Sequence, residues 1–133
     1  MAKHLVKFLL LSLLFTSLFS CASTSEELEI LDKSVRSYER AIRWGEFTVA
    51  KSFHKADPVL HSIERRRLKL YRVTDYNILS NNTPDQNNAH LLVEIKYYKN
   101  DRPVIKTLTV RQDWKRDEDS KIWYVDSKFP EFR

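Results

Sequence analysis

Glycine and cysteine are almost absent from this 133-residue chain, which contains one of each, Gly45 and Cys21. The glycine-rich phosphate loops of the Walker and dinucleotide types need several closely spaced glycines, so both types are excluded. A single cysteine allows no internal disulfide, so side-chain packing must stabilise the domain. A long apolar run is missing too, because the run at 8–18 covers about 11 residues and a membrane-spanning helix needs about 20.

The short apolar run has the surroundings of an export signal. Lys3 and Lys7 precede it, and the small residue Ser20 stands before Cys21. This order is typical of a secretory signal peptide, whereas a buried core helix would be amphipathic. Loss of the two lysines with the signal would lower the net charge from +5 to +3, which is too mild to indicate a nucleic-acid partner.

The residues at 18–21, Leu-Phe-Ser-Cys, resemble the lipobox of bacterial lipoproteins. This resemblance implies cleavage before Cys21, a lipid on its sulfur, and acylation of its amine with fatty acids such as palmitate. Ala22 stands where lipoproteins held at the inner membrane often carry Asp, so the resemblance implies the periplasmic face of the outer membrane. We therefore expect a signal peptide at 1–20, the lipidated cysteine with a polar tether at 21–25, and one domain at 26–133.

Helical periodicity follows the tether. Glu26 and Glu27 after Thr24 or Ser25 predict a helix start, and Gly45 is predicted to end this helix with a positive φ. The apolar residues at three- and four-residue spacing are Leu28, Leu31, Val35, Tyr38 and Ile42. A second helix is predicted at 46–55, with Phe47, Ala50 and Phe53 facing inward.

Strands rich in β-branched and aromatic residues are predicted at 68–80, 89–99, 104–115 and 122–126. The alternation is clearest in Leu91, Val93, Ile95 and Tyr97. Turn-like residues at 81–88 and two further short connections predict antiparallel hairpins. Residues 58–67 are left open between a strand, a helix or both. Two helices followed by a meander of strands predict an α+β fold.

Two stretches resemble the NTF2-like family. Residues 43–47, continuing to Phe53 and Asp57, match its helix–glycine–acidic–helix stretch, and 123–126 after Trp114 match its last hairpin. The resemblance implies N-terminal helices packed on a curved antiparallel sheet, which form a cone with a pocket. The whole chain also resembles a group of small proteobacterial lipoproteins through residues 37–47, 97–98 and 111–114, and this likeness implies no activity.

Three residues invite a metal hypothesis, namely His54, Asp57 and His61. Their spacing matches no closed site, so we predict surface or capping roles, no metal and no cofactor. The densest positive run is Arg65, Arg66, Arg67, Lys69 and Arg72. Such a run can meet anionic lipid head groups, but it is more typical of a solvated sheet edge that discourages strand addition.

An enzymatic pocket of the isomerase or hydratase kind would need a buried carboxylate beside a hydroxyl group. Asp75 and Asp113 are the candidates, with Tyr76 or Tyr97. Each aspartate neighbours an inward aromatic, so alternation places both in solvent with acid-range titration. No spacing selects a catalytic pair, and no catalytic residue is predicted.

The leading hypothesis is a non-catalytic, outer-membrane-anchored lipoprotein that acts as a binding or assembly module. Its partners would be the membrane, through Cys21, and a protein of the cell envelope, which would contact the concave or outer face of the sheet. The alternatives are a small-ligand binder and the pocket enzyme. Aromatic residues predicted to line a pocket are Tyr97, Trp114 and Trp123.

Overall fold

The computed structural model describes residues 20–133, with side chains from 25 onward. Three helices precede four strands. They are α1 Ser20–Arg43, α2 Phe47–Ser52, α3 Ser62–Leu68, β1 Tyr71–Asp85, β2 Asn88–Lys99, β3 Arg102–Arg116 and β4 Trp123–Val125. Most of the predicted signal peptide and the side chain of Cys21 lie outside the described residues.

The four strands form one open antiparallel sheet in the order β1-β2-β3-β4. Two long hairpins join β1 to β2 and β2 to β3, while short β4 pairs within the sheet with Trp114, Lys115 and Arg116 of β3. Helices that precede an antiparallel sheet confirm the predicted α+β class.

The core lies between α1 and one face of the sheet. Four of the predicted apolar residues of α1 are buried, although Leu28 is half exposed. On β2, the predicted alternation is confirmed, because every second residue from Ala89 to Tyr97 is buried. The buried side chains of α1, which repeat every three or four residues, therefore lie in one hydrophobic core with those of β2, which repeat every second residue.

Two predicted element starts are wrong. The first helix was predicted to begin at Thr24 or Ser25, but both residues lie inside α1, which already includes Ser20. No glycine or proline interrupts 20–25, and serine and threonine cost little inside a helix. Leu68 ends α3 and is fully buried there, so the first strand begins later than predicted, at Tyr71.

The predicted loop at 81–88 is mostly strand, because β1 continues to Asp85 and leaves a two-residue turn. The Oδ1 of Asp85 accepts the backbone N–H of Asn87 at 2.8 Å, and its carboxylate also accepts the Asn88 amide. This side-chain network holds the tight turn, while a register shift between Asn82 and Asp85 accommodates Pro84.

Gly45 has a φ of +72°, which confirms the predicted left-handed cap of α1. The N–H of Glu46 donates to the carbonyl of Ala41 at 2.8 Å, and that of Gly45 donates to Ile42 at 3.2 Å. These two bonds form a Schellman motif, which satisfies carbonyls at the helix end.

Gly45→Ala should lower the free energy of unfolding by about 1 kcal/mol or more. An added Cβ would lie 3.9 Å from the Phe47 ring, an ordinary contact, so the cost arises from the backbone conformation. Urea unfolding followed by circular dichroism measures it. Gly45→Asn is the control, since asparagine tolerates this conformation and should lose less. Equal melting of all three proteins would contradict the assigned cap.

Candidate functional site

The segment 126–133 folds back into the interior beneath the sheet. Phe132 is fully buried, and its ring packs on those of Phe47, Tyr71 and Tyr97 with centroids 5.4, 6.0 and 5.0 Å away. The hydroxyl of Tyr97 donates to the carbonyl of Arg133 at 3.1 Å and accepts its N–H at 3.2 Å. The chain's own aromatic residue therefore occupies this part of the interior.

The three predicted pocket-lining residues are all buried but lie in different surroundings. Tyr97 contacts Phe132, whereas Trp114 packs edge-on against Tyr38 at 5.7 Å. The indole N–H of Trp114 donates to the Oε1 of Gln112 at 3.2 Å. Trp123 lines a groove near the start of α1. The structure thus places Tyr97 and Trp114 in packed interior and Trp123 at a separate opening.

A cleft of about 450 Å³ opens where segment 126–133 meets α2, α3 and the connection between these helices. We call it the charged cleft. Four basic and four acidic side chains line it, together with His54 and Phe129. The charged residues are Lys51, Arg67, Lys128, Arg133, Asp57, Glu64, Asp126 and Glu131.

Lys51 is the most unusual residue of the charged cleft, because it is a lysine with only 5% of its surface exposed. Its Nζ lies 2.8 Å from a carboxylate oxygen of Asp57 and 3.8 Å from one of Glu64. The same ammonium lies 5.3 Å from the centre of the Phe129 ring. The hydrogen bond from Lys51 lowers the pKa of Asp57, so this ion pair persists well into the acid range.

His54 is buried at the base of the charged cleft, so the predicted surface or capping role is wrong for this residue. Its Nδ1 lies 2.9 Å from the carbonyl of Ser127, and its Nε2 lies 3.1 Å from the hydroxyl of Tyr38. A carbonyl only accepts, so Nδ1 carries the proton and Nε2 accepts from Tyr38. A bridge between His54 and Val125 draws the histidine inward.

Asp57 and His61, the other two residues of the metal hypothesis, have separate roles. Asp57 is exposed and pairs with Lys51, while His61 is exposed at the N-cap position of α3. Within residues 25–133, no three His, Cys, Asp or Glu side chains are grouped as metal ligands.

Acidification should destabilise the fold through His54. Burial lowers the pKa of His54 below its ordinary value of 6.5, so the unfolded chain takes up a proton at a higher pH than the folded one. The stability is therefore fully present above about pH 6.5 and falls below it, until the folded histidine is also protonated. Urea unfolding between pH 7.5 and 5.0 measures this slope.

His54→Gln is the matched variant, because glutamine fills similar space and does not titrate. It should be less stable at pH 7.5 but show a flatter dependence on pH. An unchanged slope would assign the acid sensitivity to a group other than His54.

The predicted place of the basic run at a sheet edge is wrong for Arg65, Arg66 and Arg67, which lie on α3, whereas Arg72 lies on the edge strand β1. The guanidinium of Arg65 donates to the carbonyl of Leu60 at 3.1 Å, and that of Arg67 donates to Phe132 at 2.8 Å. The positive run therefore ties α3 to its neighbouring chain segments as well as facing solvent.

The two candidate catalytic aspartates are partly exposed on the face of the sheet opposite the core. Asp113 Oδ1 lies 2.7 Å from Nδ1 of His90 and 3.0 Å from Nε of Arg111. Partial burial works to raise the pKa of Asp113, but these hydrogen bonds hold it below its ordinary value, in the acid range as predicted. Asp75 accepts the backbone N–H of Tyr76 and the side-chain amide of Asn77.

The charged cleft offers ionic and hydrogen-bonding contacts. His54 uses both ring nitrogens, and Lys51 is held by two carboxylates. Arg67 and Lys128 form no salt bridge with the described residues, although both lie near enough to Glu131 to help lower the pKa of its carboxyl group. The sequence prediction missed Lys51, although its four-residue spacing from Phe47 marks the inward face of α2.

The chain matches no family model, no curated protein and no solved structure at a significant level. Among the helices of the described residues, none is long and apolar enough to cross a membrane.

Proposed function

We propose that the chain is an envelope lipoprotein, lipidated on Cys21 at the periplasmic face of the outer membrane, with an NTF2-like domain at 26–133. The domain acts as a non-catalytic binding or assembly module. The proposal of place rests on the basic start, the short apolar run and the lipobox-like residues 18–21. The helices ahead of an antiparallel sheet and the capped junction at Gly45 support the proposed fold family.

The filled interior is the observation that carries the binding role. In an NTF2-like enzyme, the cone would hold a carboxylate with a raised pKa beside a hydroxyl group. Here Phe132 occupies the space beside Tyr71 and Tyr97. In the charged cleft, hydrogen bonds from Lys51 and Arg133 lower the pKa of Asp57 and Glu131, which suits ion pairing rather than proton transfer.

The charged cleft is the proposed contact surface for a protein of the cell envelope. Equal numbers of basic and acidic side chains favour a partner that carries both signs of charge. Arg67 and Lys128 would meet its carboxylates, because neither forms a salt bridge within the described part of the chain. The Phe129 ring, half-buried beside Lys51, adds apolar area.

Binding of a small ligand is the second candidate, and the size of the cleft favours it. A volume of about 450 Å³ lies within the range of about 300–1,000 Å³ that is typical of small-molecule sites.

Site-specific photocrosslinking in intact cells tests the protein-binding role. A benzophenone side chain in place of Lys128 should give a discrete adduct of higher mass. The same group in place of Thr107, which is exposed on the opposite face of the sheet, should not. A second set of variants carries the benzophenone side chain in place of Glu131, another residue of the charged cleft. In this set, Lys128→Glu should reduce the amount of adduct, whereas Arg102→Glu, the same charge change at an exposed residue, should not.

Equal crosslinking from Lys128 and Thr107 would contradict the charged cleft as the contact surface. Absence of adducts from Lys128 and Glu131 would contradict a protein partner there, and saturable binding of a small molecule in the cleft would then favour the second candidate.

A further inference from the structure

A second opening differs from the charged cleft in its composition and shares no lining residue with it. It holds about 300 Å³ between the start of α1 and the tip of the β1–β2 hairpin. We call it the Trp123 groove. Its lining is Glu27, Leu28, Thr83, Pro84, Asp85, Gln86 and Trp123. Most of the surface that it exposes is apolar, with Leu28, Pro84 and the Trp123 ring as its apolar members.

Three buried polar atoms lack hydrogen-bond partners, two of them on residues that line this groove and one on Arg116, which does not line it but contacts Glu27. They are the indole Nε1 of Trp123, the Nε of Arg116 and the Oε2 of Glu27. Trp123 is only 2% exposed, and Arg116 faces it directly across the β3–β4 ladder. One nitrogen of Arg116, Nη1, donates to Oε1 of Glu27 at 2.9 Å, so the orphaned atoms belong to one connected cluster.

This concentration is unusual, because buried polar groups in folded proteins nearly always have a partner. The comparison within the chain is direct. Trp114 is as deeply buried as Trp123, yet its indole N–H donates to Gln112. Among the described residues, the buried side-chain atoms found without partners all belong to the Glu27–Arg116–Trp123 cluster. A partner from outside the chain would complete it.

The cluster specifies the chemistry of that partner. Arg116 Nε and Trp123 Nε1 are donors, and Glu27 Oε2 is an acceptor, so the missing group must both accept and donate. The charges of Glu27 and Arg116 compensate each other, which favours a neutral group. A free carboxylate would face Glu27, and an ammonium would face Arg116. An amide meets all these requirements, since its carbonyl accepts and its N–H donates.

We propose that the Trp123 groove binds small neutral amides, with the amide group between Glu27 and Trp123, Arg116 behind them, and an apolar body against Leu28 and Pro84. This site is separate from the charged cleft and does not depend on the function proposed for it. Its lining comes from elements distant in the chain, namely α1, the tip of the β1–β2 hairpin and β4.

NMR of the indole N–H groups in the full chain tests the proposal with benzamide as the probe. Three tryptophans give three signals, and Trp44, which is 78% exposed, serves as the internal reference. Benzamide should shift the Trp123 signal saturably and leave the Trp44 signal in place. Benzoate and benzylamine have the same ring with a negative or a positive group, and each should bind at least about tenfold more weakly.

Two variants separate recognition from folding. Trp123→Phe keeps an aromatic ring and removes the donor, and Glu27→Gln removes the charge at similar size. Each should weaken benzamide binding about tenfold, while Trp44→Phe should have no effect. Because Trp123→Phe has no indole N–H at position 123, binding to the variants is measured on the ring protons of benzamide by saturation-transfer difference. The Trp114 signal reports whether each variant remains folded, because its N–H bond to Gln112 is buried.

Three results would overturn the proposal. The first is a Trp123 signal that does not move up to the solubility limit of benzamide. The second is an equal shift by all three probes, which is expected if the groove binds only the aromatic ring. A nuclear Overhauser effect from the Trp123 N–H to a long-lived water that benzamide does not displace would assign the orphaned atoms to solvent alone.

Discussion

Phe132→Ala should lower the free energy of unfolding by about 3–5 kcal/mol. The Phe132 side chain is fully buried, and removing it leaves a cavity among the rings of Phe47, Tyr71 and Tyr97. Edge-to-face contact with Tyr97 is lost as well. A domain of this size is stable by only about 5–15 kcal/mol, so the variant should be close to unfolding at 37 °C. Urea unfolding followed by tryptophan fluorescence measures the loss.

Ile63→Ala is the control for this experiment, because it removes an apolar side chain that is 75% exposed. It should change the stability by no more than about 0.5 kcal/mol. If Phe132→Ala lost as little as Ile63→Ala, segment 126–133 would not be packed in the interior in solution, and the observation that carries the proposed binding role would fail.

Cys21→Ser should move the protein from the membrane fraction to the soluble fraction of the cell envelope. Each buried CH₂ of an acyl chain contributes about 0.8 kcal/mol to membrane binding, and several chains together make the anchor practically permanent. A serine cannot carry the thioether-linked lipid. Fractionation of cells together with labelling by radioactive palmitate measures both effects.

Ser23→Ala is the matched control, since it changes a small residue two positions away and leaves the cysteine intact. Its labelling and its membrane fraction should equal those of the parent. Continued palmitate labelling of Cys21→Ser would refute Cys21 as the site of lipidation.

Local patterns predicted the elements that depend on near neighbours in the chain. Gly45 was predicted to take a positive φ because a helical run ends beside it, and the structure confirms this. The inward face of β2 followed from strict alternation, and the buried stripe of α1 followed from three- and four-residue spacing. The same reasoning failed at 81–88, where polar turn residues continue a strand because Asp85 closes a tighter turn.

The sequence by itself determined the α+β class, the cap at Gly45 and the core faces of α1 and β2, because these depend on residues at most a few positions apart. Only the tertiary structure decided that His54 is buried, that Phe132 fills the interior and that Glu27 meets Arg116. The hydrogen bonds that fix these placements join residues far apart in the chain. His54 and Ser127 are 73 residues apart, and Glu27 and Arg116 are 89 apart. The bond that holds the segment of Phe132 joins Tyr97 to Arg133, which are 36 residues apart. No local period encodes such pairs, since they form only when the helices and the sheet close on each other.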